Sequence, residues 1–174
     1  MPADLIKPLL ICLFAALVAA AALKDLTSYT IPNWIPAALA VLFVPAALAV
    51  GASPAQIGLA LGLGVGMLAA GVVMFMLGWL GGGDAKLMAA ASVWIGLPGL
   101  APFVLYTGLA GGALALVLLA ARSVWLRPFV AAGPTWIGRL ATPGAATPYG
   151  VAIALGALAA LPAGLIMRAG QAGV

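Results

Sequence analysis

The chain has 174 residues, 66% of them hydrophobic and only 6% charged, far below the charged share of a soluble domain, and this composition marks an integral membrane protein. A single cysteine, Cys12, and no histidine exclude a disulfide framework, a cysteine zinc site and a histidine-based catalytic triad. The net charge of +4 requires no nucleic acid partner, because basic residues in short loops serve to orient membrane spans.

A span needs about 20 apolar residues, so the elements follow from where apolar runs meet their breakers. The first run extends from about Leu5 to Leu23 and stops at Lys24-Asp25. It is read as a span and not as a cleaved secretory signal, because about 16 uncharged residues exceed the usual apolar region of such a signal. After "TSYTIPN" a second run begins near Ile35 and ends at "GASP", and a third covers Ile57 to about Leu80 before three glycines. The fourth starts at Asp84 and reaches only to "GLPG", the fifth covers about Leu100 to Ala121, and the sixth runs from about Pro148 to Met167 after a polar segment, 122–147. The expectation is an all-α polytopic membrane protein of about six spans, forming a single domain over residues 1–174.

Charge gives the orientation. With six spans, the joints after the first, third and fifth share one side and collect Lys24, Lys86, Arg122, Arg127 and Arg139, against Lys7 and Arg168 opposite. Basic residues favour the cytoplasmic face, which places the odd joints in the cytoplasm and both termini outside. The same parity puts Asp25 and Asp84 on one face. The fourth span rises only about 21 Å at 1.5 Å per residue, against a hydrocarbon core of about 30 Å. A start recessed below the cytoplasmic surface fits this length better than a re-entrant piece, with the preceding glycines lining a wet cavity.

Other patterns are structural. Gly58, Gly62 and Gly66 at four-residue steps permit close helix approach, read as packing within the molecule ahead of a face between copies. Trp34, Trp79, Trp94, Trp125 and Trp136 lie mostly near span ends, where interfacial anchors are expected.

Carboxylates in spans are costly and by default mark function. Taken alone, Asp84 reads as a helix cap and Asp25 as a juxtamembrane charge beside Lys24. As a pair on one face they permit a different chemistry. Two facing carboxylates can share one proton, one acting as base on a water while the other donates to a substrate carbonyl. That chemistry requires no histidine, cysteine, metal or cofactor.

The flanks of both aspartates carry a resemblance. "DLTSYTIPN" begins with Asp25, and "GGGDAKL" contains Asp84. Together they resemble the type IV prepilin peptidases, membrane aspartic proteases of the GxGD class, through Asp25 with Ile31, Pro32 and Asn33, and through Gly81, Gly83, Asp84 and Lys86. "LMAAASVWIGLPG" is similar to the alanine-rich stretch that follows in the family, and Pro148, Tyr149 and Gly150 to its Pro-[F/Y]-Gly element. The resemblance implies endoproteolysis of a prepilin leader at the cytoplasmic boundary of the inner membrane, with Asp25 and Asp84 as catalytic dyad. The partners implied are a prepilin and the lipid bilayer. A chain that opens on its first span and holds one cysteine is similar to the short, peptidase-only form associated with Flp-type pili, which leaves methyl transfer in doubt.

The flanking residues have physical roles as well. Gly81 and Gly83 allow close backbone approach to a carboxylate, or serve as an adaptable joint between helices. Lys86 reads as a snorkelling anchor more than a tuning charge, and Pro32 and Asn33 as turn and cap of the second helix. Arg122, Arg127 and Arg139 read as cytoplasmic anchors. The competing function is a proton- or cation-coupled transporter or channel subunit, which predicts acids near mid-span and helices broken at the midplane. The sequence leaves oligomeric state open.

Overall fold

The computed structural model describes residues 3–142 and 147–169; the side chains of Trp136 and Arg139 fall outside this description. All regular structure among the described residues is helical. Four helices are long and apolar enough to cross a membrane, and a fifth apolar helix, α2 (Trp34–Ala49), is shorter.

Helix α1 (Ala3–Ser28) does not stop at the Lys24-Asp25 breaker but runs one turn beyond it. The polar turn is held by its own side chains: the hydroxyls of Thr27 and Ser28 donate to the carbonyls of Leu23 and Lys24, both at 2.7 Å. The inward stripe of α1 is Phe14, Val18, Ala21 and Asp25, at steps of four, three and four residues. Asp25 therefore occupies the last core position of a transmembrane stripe.

Helix α3 (Pro54–Met76) starts at a full capping box, in which Ser53 and Gln56 exchange side-chain and backbone hydrogen bonds, and it ends at Gly78 with φ +73°. Helix α4 (Gly82–Ala121) has 40 residues, about 60 Å of rise, twice the hydrocarbon thickness. It is two limbs joined at Gly96, whose φ of +66° and ψ of −179° leave the helical region. These limbs are the fourth and fifth apolar runs. The first limb is short because it is an inner helix: Asp84, Ala85, Leu87 and the whole of 89–96 are buried. Its far end is closed by the chain around Gly164 and Leu165, against which a side chain at Gly96 or Gly99 would collide.

After two short helices, α5 (Arg127–Ala131) and α6 (Thr135–Leu140), the last apolar run forms α7 (Tyr149–Ala160) and α8 (Leu165–Arg168). It is interrupted where Pro162 enters a tight turn and Gly164 becomes extended. At that end Lys7 Nζ donates to the carbonyls of Met167 (3.0 Å) and Ala169 (2.8 Å), fastening the start of α1 to the end of α8.

Two sequence expectations are corrected here. A side chain at Gly58, Gly62 or Gly66 would meet nothing within 4 Å, so this stripe faces outward and brings no helices together within the chain. The close approach of α3 to α4 runs instead through Gly64 and Gly71, on another face, against Val93 and Ala85. Trp94 is a core residue, fully buried against Phe14 and Phe43, with its indole N–H donating to the Leu39 carbonyl at 2.7 Å. Trp34, Trp79 and Trp125 are exposed near helix ends, as anchors would be.

Candidate active site

Asp25 and Asp84 line one cavity of about 200 Å³, together with Tyr29, Thr30, Ile31, Asn33 and the glycines 81–83. Both carboxylates are buried.

Each carboxylate is held by the open end of a helix. The first N–H groups of a helix have no partner within it, and they carry the positive end of its dipole. At the start of α7, the Gly150 N–H donates to Asp25 Oδ2 at 2.7 Å, across 125 residues of sequence. At the start of α4, the Gly81 N–H donates to Asp84 Oδ2 at 3.2 Å. Two helix N-termini converge on two carboxylates, and their N–H groups offset part of the cost of burying the acids. Asp84 Oδ1 is buried and has no hydrogen-bond partner among the described residues.

Asp84 is not the cap that precedes α4. It sits in the first turn at the third helical position and reaches back to Gly81, which holds the cap position. The helix begins at Gly82 because the backbone of 82 and 83 can continue into it; none of Gly81, Gly82 and Gly83 has a positive φ. Their value is space. A Cβ at Gly81 would lie 2.7 Å from Asp84 Oδ2, and one at Gly83 would lie 3.2 Å from Ile31 Cβ, whereas one at Gly82 would make only ordinary contact with Phe75. Gly150 is confined on two sides, its Cβ meeting Asp25 Oδ2 at 2.8 Å and Ile31 Cδ1 at 2.9 Å.

Ile31 is thus the wedge of the site, packed against Gly83 on one side and Gly150 on the other. Sequence reasoning placed it in a motif but gave it no role, although an apolar residue in a polar loop, held extended by the following proline, is a legible signal. Tyr29 and Thr30 were missed altogether. Tyr29 closes α1 with φ +53°, a conformation rare for a bulky residue, while its N–H keeps the helical bond to the Asp25 carbonyl at 2.8 Å.

The remaining motif residues divide. Asn33 holds the cap position of α2 but makes no side-chain cap bond; its Oδ1 accepts from Lys86 Nζ at 2.9 Å. That bond ties the segment after Asp25 to the segment after Asp84, so Lys86 does more than snorkel. Pro32 supplies a carbonyl to the Ile35 N–H at 3.1 Å. Pro148 is buried at the cap position of α7, but Tyr149 does not line the acid cavity: its ring lies against Gly111 of the second limb of α4. Of the Pro-Tyr-Gly element, only Gly150 touches a carboxylate. No group of three or more metal-ligating side chains occurs among the described residues.

Fold and site together define an all-α polytopic membrane protein with a buried carboxylate pair at two converging helix ends. The chain matches the model of the type IV leader peptidase family over residues 12–116, a stretch that contains both aspartates, and it belongs to that family. It is a membrane-embedded peptidase, and prepilins are the substrate class that the family implies. No curated protein and no solved structure matches it significantly.

Proposed function

We propose that this protein is an aspartic endopeptidase, removing the leader of Flp-type prepilins at the cytoplasmic face of the inner membrane. One observation carries the reading: Asp25 and Asp84 are both buried in the lining of a single cavity, each accepting from a backbone N–H at a helix start, Gly150 for Asp25 and Gly81 for Asp84. In the step proposed, the two carboxylates hold one proton between them. The ionised one removes a proton from water as the oxygen attacks the scissile carbonyl, and the protonated one donates to the carbonyl oxygen. Collapse of the tetrahedral intermediate breaks the C–N bond, and the departing nitrogen takes a proton from the dyad, leaving a free pilin N-terminus and a leader carboxylate. A site that must hold one proton gives a bell-shaped dependence of kcat/KM on pH.

The transporter reading draws no support from these acids, which lie with helix ends in one cavity and not at breaks in mid-span. The test is co-expression with a Flp-type prepilin, scoring leader removal by gel shift while membrane levels are verified. Asp25→Asn and Asp84→Asn are each expected to lower cleavage by at least roughly 10²-fold, the contribution of positioned acid-base groups. Normal processing by either variant would remove the dyad from consideration. A reporter fused after Arg127 should behave as cytoplasmic, and a periplasmic signal there would overturn the orientation.

A further inference from the structure

Two apolar grooves flank α3, and they differ in what they reach. One, of about 480 Å³, runs between α3, the second limb of α4 and α7, with Met67, Met74 and Met88 in its walls. It shares no lining residue with the acid cavity. The other, of about 380 Å³, lies between α2 and α3 on a floor formed by the first limb of α4. Its walls include Ala37 and Ala40 of α2 and Val65 and Leu68 of α3, and its floor includes Ala90 and Val93. At one end it is headed by Asn33 and Lys86, and Asn33 lines the acid cavity as well. This groove therefore meets the acid cavity at Asn33.

Resting on the peptidase reading above, we infer that the groove between α2 and α3 docks the apolar helix of the substrate, placing the bond before that helix in the acid cavity. A peptide being cut must be extended in the cavity. The part entering the hydrocarbon must be helical, because backbone groups in lipid require internal partners. The substrate therefore changes from extended to helical close to the dyad, which is where Asn33 and Lys86 stand. From Lys86 to Val93 the floor descends about 10 Å, two turns of helix. Small residues on the α2 wall, Ala37 and Ala40, and on the floor, Ala89 and Ala90, let a helix backbone come near, as in membrane helix pairs. A cylinder of that length and of helix diameter occupies about 800 Å³, so the groove takes one face of a helix and leaves the other to lipid.

The test uses the full chain in liposomes with a prepilin that carries its apolar helix. Ala40→Trp fills the groove without touching the dyad, and Ala70→Trp places the same bulk in the other groove. The first variant is expected to raise KM about tenfold or more with kcat nearly unchanged, and the second to leave both within about twofold of wild type. A photoreactive residue at position 40, in the Asp84→Asn background, is expected to form an adduct with the prepilin. Unchanged KM in Ala40→Trp, a larger rise in Ala70→Trp, or adducts with lipid alone would overturn the inference while leaving the peptidase reading intact. Failure of the wild type to cleave any prepilin would instead remove that reading, and the proposed occupant with it.

Discussion

The glycines around the aspartates and those along the outer face of α3 look alike in sequence and do opposite things in the fold. Gly58, Gly62 and Gly66 have the regular spacing associated with helix packing, yet a side chain at each would enter open space. Gly81, Gly83 and Gly150 have no such regularity, yet each is confined by a carboxylate or by Ile31. Spacing reports where contact is permitted; only a neighbour makes it necessary.

Alanine at each position breaks or sharpens that contrast. Gly150→Ala is expected to have the largest effect, because its methyl displaces Asp25 from the N–H that holds it; a shift of about 1 Å at a reacting group costs on the order of 10²-fold in rate. Leader cleavage against a thermal melt in detergent separates this loss from unfolding. Gly81→Ala and Gly83→Ala come next, at roughly tenfold each, since one pushes the Asp84 carboxylate and the other the Ile31 wedge. Asn33→Ala, which leaves Lys86 without its acceptor, is expected to reduce kcat/KM less than either glycine variant, because both groups are exposed. Gly82→Ala, between the two sensitive glycines, should stay within about twofold of wild type, as should Gly62→Ala on the outer face. A Gly82 variant as impaired as its neighbours would show that backbone freedom, and not space, is what the triplet supplies.

Much of the site was legible before any coordinates. Asp25 and Asp84 are conspicuous because so few charges interrupt the apolar runs, and the six runs all appear as helix. The boundaries were less legible. A breaker in composition is not a breaker in hydrogen bonding, so α1 passes through Lys24-Asp25 and α4 begins two residues before Asp84. Trp94 shows the same limit: its place near the end of a run suggested an interface, but Phe14 of α1 and Phe43 of α2 enclose it.

The sequence by itself determined that this chain lives in a bilayer, that it is helical, and that carboxylates are its candidate reactive groups, because hydropathy and charge act residue by residue. Tertiary structure decided which groups hold those carboxylates. The donor to Asp25 is a backbone N–H 125 residues away, and the wedge between the starts of α4 and α7 is an isoleucine. Neither leaves a periodic trace, because an unpaired N–H at a helix end is common to every helix, and only the packing of α7 against α1 aims this one at an acid.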